Sequence, residues 1–511
     1  MVARASRVAL CRRALVCSWI ECAFAHTRER HITARAVMFA VDALCAQWAS
    51  LVAAASAAIG LPHGATTFLL GLVLGAPIGC GFHVIDRTVP RPYAPFARSM
   101  YALVSGVMLS FASFGRSTIV CAHFGVFSYV MMVLWRRRCG VVVFVASFAY
   151  LIQYHYNADT AMTWKRGEVD ISGLLMVLVL KVTACAMNYE DASTTELTAM
   201  NEFQKRRHIK ELPNVLDYAS WLMFPCTLVS GPAIEFRDYT DWLNKRGVWG
   251  GRTPSAVKSA VKKFAMALLF LALHTVITSV YTIDNTYLNP KWMEYSLLHR
   301  IWHMHIYGEG NRYKYYFVWL MADFACTVAG IGFSGYDAKG QPTFETATNI
   351  HPLGVTKAVT LNSIPLHWNI QTGMWLRNYV YDRVTPAGMK PGLTQLLITQ
   401  IVSGVWHGLY AGYWFFFVSS AFAVNAGRLI YRLQVHRVPK RFHNFVNVPH
   451  WFVTQFGLNY LCAAFILIDY KECLTAWGSV YYWAHWALAF MIIIGTAFAP
   501  KPKPKAATKT E

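Results

Sequence analysis

Charge is scarce in this chain: of 511 residues only 14% are Asp, Glu, Lys or Arg, while 55% are hydrophobic and 15% aromatic. With a mean hydropathy of +0.33 and apolar runs along nearly the whole length, a string of soluble domains is excluded. Acids are scarcer still, 26 against 47 Lys and Arg. The bases sit in short clusters between apolar runs, such as Arg136–Arg138, Lys205–Arg207 and Lys262–Lys263. That distribution fits membrane flanks, anionic headgroups or an anionic substrate, and leaves no soluble domain for nucleic acid. The 12 cysteines lack a CxxC or a C…C…H…H spacing, so neither a disulfide framework nor a zinc site is indicated. Cys185, Cys226, Cys326 and Cys462 lie in apolar segments, where a thiol behaves as a small hydrophobe. His303 and His305 form an HxH without nearby acids or thiols, a weak metal signal, and no metal is expected. There is no GxSxG, which argues against a covalent acyl-serine. No period repeats, and no inverted pair of halves suggests a transporter.

What is present is a series of apolar segments near 37–59, 65–85, 100–114, 116–135, 139–156, 171–187, 215–233, 263–282, 313–333, 392–427, 451–469 and 476–499. They predict an all-α polytopic membrane protein with about eleven spans, the shorter ones re-entrant or interfacial. Residues 1–35 form a basic extension, read as an arm lying on a membrane, with a mitochondrial transit peptide as the other reading. Residues 36–499 form one multi-pass domain, and 500–511 a basic, disordered tail. Gly71, Gly75 and Gly79 make a helix-packing face. Lys181 and Asp323 are charges embedded in apolar helices, Asp323 being expected to pair with a basic neighbour.

Residues 391–427 contain no Lys, Arg, Asp or Glu, and His407 is their only histidine. A lone ionisable group in such a field is a functional-site hypothesis; the bland alternative is a core histidine whose nitrogens are bonded internally. If wholly helical the stretch would be ~55 Å long, more than the ~30 Å hydrocarbon core, so two pieces are expected. Gly404, Gly408 and Gly412, four apart, would form one bare ridge on a helix. Upstream, Trp368, Gln371, Trp375 and Arg377-Asn378 alternate as on an interfacial helix. The sharper reading makes Asn369 an amide near a reacting carbonyl, donating a hydrogen bond without adding a charge. Together, His407 and Asn369 suggest an alcohol attacking an acyl thioester, with a neutral imidazole taking the proton.

Here the chain resembles the membrane-bound O-acyltransferase superfamily. Trp406-His407-Gly408-(x3)-Gly412-Tyr413 is similar to its histidine motif, and Trp368-Asn369-(x2)-Thr372-(x2)-Trp375-Leu376 to the asparagine motif of its lysophospholipid acyltransferases. Three more matches precede them: Asp170-Ile171-Ser172-Gly173-(x2)-Met176-(x4)-Lys181, Phe224-Pro225-(x5)-Gly231-Pro232-(x2)-Glu235-Phe236-(x)-Asp238-Tyr239, and Arg312-Tyr313-Lys314-Tyr315-Tyr316-Phe317-Val318-Trp319 with Gly330-(x)-Gly332-Phe333-(x)-Gly335. The matches run in the family's order over residues 160–430. Ser172, Ser230 and Ala411 are mild departures from it.

The resemblance implies a multi-helix enclosure around an internal chamber, open to cytosolic acyl-CoA, in the endoplasmic reticulum membrane. It implies acyl transfer from acyl-CoA to a lysophospholipid hydroxyl, with His407 and Asn369 catalytic and acyl-CoA a co-substrate rather than a cofactor. Trp368, Thr372, Trp375, Trp406 and Tyr413 are candidate substrate contacts. Arg312, Lys314 and Tyr315 are candidate phosphate contacts, with cation–π and interface anchoring as their alternative. Partners expected are acyl-CoA, the lysophospholipid and the bilayer, with a homodimer left open. Competing functions are another acyl acceptor (diacylglycerol, a sterol or a protein) or a non-enzymatic lipid transporter.

Overall fold

The computed structural model describes residues 43, 46–157, 171–287, 289–386 and 389–500. The readings placed on residues 1–35, on Asp170 and on the tail from residue 501 lie outside them. The chain divides into two units, residues 1–70 and 71–511. In the first, Ala46–Ile59 (α1) is a short apolar helix.

The N-terminal helices are His63–Thr88 (α2), Ala94–Phe114 (α3), Ile119–Leu134 (α4) and Cys139–Asn157 (α5). A 3₁₀ turn over Gly115–Thr118 joins α3 to α4, so the two segments expected near 100–135 form one run of 41 residues. Ser172–Thr194 (α6) follows, apolar almost all round and buried along most of its length. A helix hydrophobic on every side belongs inside a bundle, and α6 carries the site described below. After Glu202–Arg207 (α7) come Val215–Leu222 (α8), Pro225–Leu228 (α9) and Phe236–Leu243 (α10). Val257–Val280 (α11) has only 6% of its window buried and lies along Leu297–Val328 (α13), beyond the single turn Ile283–Thr286 (α12). Pro352–Thr356 (α14) and Ile370–Leu376 (α15) precede a π-helical turn at Arg377–Tyr381. The C-terminal helices are Leu393–His407 (α16), Ala411–Arg437 (α17), His443–Leu467 (α18), Tyr470–Gly478 (α19) and Trp483–Phe498 (α20).

Among the described residues five helical runs are long and apolar enough to cross a membrane: α2, α3–α4, α5, α6 and α11. The pair α19–α20, bent by 76°, makes a sixth if taken as one span. Two expected segments differ from their reading. The 215–233 stretch is not a span; it is α8, α9 and their turns, with Trp221, Phe224 and Leu228 each 1% exposed inside the protein. Its apolarity reports burial rather than lipid. The 313–333 segment is the C-terminal half of the 32-residue α13, which also carries Arg300, Glu309, Arg312, Lys314 and Asp323. Both acids pair with bases: Lys263 of α11 lies 2.7 Å from Asp323, as a basic neighbour was expected to, and Glu309 pairs with Arg312.

Small residues set the packing distances. The Cβ that any other residue would add at Gly75 or Gly79 would lie about 3.1 Å from Ala325 of α13, so the expected glycine face packs there. In the C-terminal core Ala423 and Ala426 of α17 and Ala463 and Ala464 of α18 are at most 2% exposed, beneath Tyr460 and Trp477 stacked at 5.5 Å.

Candidate active site

The helix bearing His407 ends at that residue. Gly408 adopts φ +139°, a conformation closed to side chains with a Cβ, and the next helix begins at Ala411. The charge-free stretch is therefore two pieces, as its length required. The expected glycine ridge is not formed, because the break turns the three glycines to separate tasks. Gly404 faces Phe417, Gly408 makes the break, and Gly412 lets α17 approach the end of α18, where a Cβ would overlap Ala464 O. Gly412 N–H donates to Ile468 O at 3.0 Å, fixing that approach.

The His407 ring is half-buried in an aromatic cage. Phe417 stacks on it at 5.0 Å, Phe465 meets it edge-on at 5.1 Å, and Tyr413 and Trp406 lie at 5.8 and 4.7 Å. Neither ring nitrogen makes a hydrogen bond with a described residue, so the internally bonded core histidine is not what is found. Behind the turn, His155 of α5 contacts Trp406 O through Nε2 at 3.3 Å.

Asn369 stands at the start of α15 in the left-handed region, φ 47° and ψ 50°. Asparagine tolerates this conformation better than other non-glycine residues, and such strain gathers at functional sites. Its Oδ1 accepts from Asn349 Nδ2 at 3.1 Å. Trp368, before it, packs among Tyr315, Tyr316 and Trp319 at 5.8, 5.8 and 5.0 Å. The segment is not an interfacial surface helix: Trp375 is 3% exposed, Thr372 is buried, and Phe144 and Phe148 of α5 stack against Trp375.

His407 and Asn369 make no direct contact. What relates them is α6. Trp406 Nε1–H donates to Met176 O at 2.8 Å, and Trp375 Nε1–H to Leu180 O at 3.0 Å. Met176 and Leu180 are four residues apart, hence on one face of α6 and about 6 Å apart along its axis. A carbonyl with two lone pairs can keep its helical bond and still accept an indole. The histidine and asparagine elements thus dock on one helix through the tryptophans of their own motifs.

Of the phosphate candidates, Arg312 is 3% exposed and pairs with Glu309 through Nη2, while its Nε and Nη1 have no partner among the described residues. Glu309 also accepts from Asn459 Nδ2 at 3.2 Å. One turn along, Tyr316 OH is likewise buried and unmet. Tyr316, rather than Tyr315, therefore shares the face of Arg312. Lys314 lies over the Tyr315 ring at 5.5 Å, the cation–π arrangement. Tyr315 stands beside Trp368, and Tyr413 beside His407. Among the described residues no group of three or more His, Cys, Asp or Glu side chains could hold a metal ion. His305 stacks on Phe456 at 3.9 Å, and His303 lies against His299 at 4.1 Å.

The earlier motifs form a bracket around α6. Lys181 Nζ donates to Trp221 O at 2.8 Å, Leu222 O at 3.4 Å and Thr227 Oγ1 at 3.3 Å, closing the exposed carbonyls at the end of α8. Trp221 Nε1–H donates to Ile234 O at 2.8 Å, and Arg207 pairs with Asp238 at 3.0 Å. Glu235 accepts from Tyr379 OH at 2.9 and 3.0 Å and from Asn188 Nδ2 at 3.1 Å, tying α6, α10 and the π-helical turn together. Burial pushes its carboxyl up to about 7 and Asp238 adds to the rise, against the pull of Arg207 and of those hydrogen bonds. Asn188 and Asn349 were not anticipated; no spacing marks them, beyond the dipeptide Asn-Ile occurring at both 349 and 369.

The sequence pattern of the membrane-bound O-acyltransferase family (MBOAT) matches residues 158–467. "Lysophospholipid acyltransferase 1" of Arabidopsis thaliana is 34% identical over 459 residues, covering 88% of this chain and 97% of the relative. "Lysophospholipid acyltransferase" of Schizosaccharomyces pombe is 27% identical over 421 residues, 77% and 80% of the two chains. "Membrane-bound glycerophospholipid O-acyltransferase 1" of Homo sapiens is 24% identical over 470 residues, 88% and 92%.

Proposed function

The chain belongs to the membrane-bound O-acyltransferase family and is an integral membrane acyltransferase; from that premise we propose that it transfers an acyl group from acyl-CoA to the free hydroxyl of a lysophospholipid. The observation that carries the reading is the pair of unspent polar groups, the His407 imidazole and the Asn369 amide, on elements docked to one face of α6. His407 takes the proton of the glycerol hydroxyl as its oxygen attacks the thioester carbonyl. Asn369 supports the negative charge developing on the carbonyl oxygen. The carbon–sulfur bond then breaks, and the leaving thiolate takes up the proton held by His407. Acyl-CoA enters as co-substrate and no cofactor is used. No carboxylate touches the His407 ring among the described residues, so the imidazole works alone rather than as part of a triad.

Arg312, with two unmet donor groups in a buried setting, suits the phosphate of the acceptor. Trp368, Thr372, Trp375, Trp406 and Tyr413 shape the surrounding chamber. About eleven membrane segments, counting short and broken ones, and an endoplasmic reticulum address complete the proposal; a homodimer is left to measurement. Membranes carrying the wild type or His407→Ala, given labelled oleoyl-CoA and a panel of lysophospholipids, test it. Phospholipid product from the wild type alone is expected. No product with any lysophospholipid from well-expressed wild type would defeat the acceptor assignment and turn attention to diacylglycerol, sterol or protein acceptors.

A further inference from the structure

The amide of Asn369 has two ends, and which one meets the substrate decides its chemistry. Its Oδ1 accepts from Asn349 Nδ2 at 3.1 Å. The direction of that bond is not a free choice. Asn349 Oδ1 accepts the backbone N–H of Gln371 at 2.9 Å, and a backbone nitrogen can only donate. The carbonyl end of Asn349 is therefore committed to Gln371, its nitrogen is the end turned to Asn369, and Asn369 must answer with oxygen. What Asn369 has left is Nδ2 with its N–H donors, which meets no described residue.

The mount is rigid. Asn349 is 3% exposed, and its own carbonyl accepts Ile370 N–H at 3.0 Å. Residues 350 and 368 form a β-bridge, and His351 N–H donates to His367 O at 2.9 Å. Gln371 Nε2 reaches Thr346 O and Thr348 O at 3.2 Å each, and Thr348 Oγ1 donates to Asp323, which Lys263 holds.

We infer that Asn349 is a positioning residue that locks the Asn369 amide with its N–H donors toward the reacting thioester, making Asn369 a donor to the developing oxyanion and not an acceptor for the attacking hydroxyl. This rests on the reading of Asn369 as catalytic. The bland alternative is that Asn349 merely caps α15 through Gln371. Asn349→Asp separates the two. The carboxylate still accepts from Gln371, so a cap survives, but it cannot donate to Asn369 Oδ1; Asn369 is driven to flip and turn its oxygen outward.

Full-length protein in membranes would be assayed for kcat and for KM toward oleoyl-CoA, with thermal stability alongside. The expected result for Asn349→Asp is a kcat reduced about 10²-fold, the scale of one lost oxyanion donor, with KM and stability near wild type. Asn349→Asp/Asn369→Ala should be no slower than Asn369→Ala alone, because the first residue acts through the second. Wild-type kcat in Asn349→Asp, or losses that multiply in the double variant, would overturn the lock. Should Asn349→Asp fold poorly, Asn369→Asp decides independently. It keeps the bond from Asn349 but loses the donor, so kcat should fall and partly recover at low pH, where a protonated acid donates again. Undiminished turnover by Asn369→Asp would overturn the donor assignment. Wild-type activity in Asn369→Ala would instead sink the underlying reading of Asn369.

Discussion

Two polar clusters flank α6, and they differ in how their motif side chains are met. In the bracket around α6 the motif charges have partners: Lys181 has carbonyls, Asp238 has Arg207, and Glu235 has Tyr379 and Asn188, while Asn188 Oδ1, Arg207 Nε and Ser230 Oγ are buried without one among the described residues. On the other side, Arg312 Nε and Nη1 and the Tyr316 hydroxyl are buried with no partner among the described residues, and no described residue bonds the half-buried His407 ring or Asn369 Nδ2. An unmet buried polar group costs about 1–3 kcal/mol, a cost that a ligand bonding Arg312 and Tyr316 would offset. Both clusters carry family-like motifs. How the motif side chains are met is the basis on which we assign one cluster to scaffold and propose the other for chemistry.

That contrast can be broken most sharply at His407. His407→Ala should lower acyl transfer by roughly 10²–10⁴ with folded protein still recovered, since the ring makes no hydrogen bond with a described residue and truncation removes only its packing in the aromatic cage; failure to recover folded protein would move it to the scaffold class. Next comes Arg312. Neutralising both members of its pair in Glu309→Gln/Arg312→Gln avoids stranding a carboxylate. It should raise KM for lysophospholipids about 10- to 100-fold, the worth of a charge-assisted bond of ~1.5–3 kcal/mol, and an unchanged KM would remove Arg312 from the site.

Lys181→Met tests the other side. Trp221 O keeps the Phe224 N–H and the Thr227 hydroxyl still donates to Phe224 O, so the Leu222 carbonyl is the group stranded and stability should drop by about 1–3 kcal/mol. Turnover per folded molecule should hold, and a kcat loss in stable protein would mean that the bracket takes part in chemistry. The smallest effect is expected at Glu235. Its carboxyl titrates near 7 when folded against an ordinary 4.5. The folded state thus holds the proton longer, and stability falls as pH rises through that window and is level above it. Glu235→Gln should flatten this slope in melting curves from pH 5 to 8; an equal slope in both proteins would place the titration elsewhere.

Much of this contrast was legible in the sequence and part was not. The charge-free run isolated His407, and its length required the break that Gly408 makes. The mistaken span at 215–233 arose because hydropathy measures the wish to leave water without naming the destination; Trp221 and Phe224 leave it into protein. The surface reading of residues 368–381 failed likewise, since Trp375 supplies an indole donor that finds its acceptor on α6. Asn349 was invisible because its role depends on a bond across some twenty residues of chain, which no periodicity encodes.

The indoles of Trp406 and Trp375 hang from carbonyls one helical turn apart. The gauge between the two arms of the candidate site is consequently four residues of α-helical backbone, among the stiffest rulers a polypeptide has, and not the chain that connects them in sequence. Thermal tilting or sliding of α6 carries both arms in the same direction, as common-mode motion, and leaves their separation untouched.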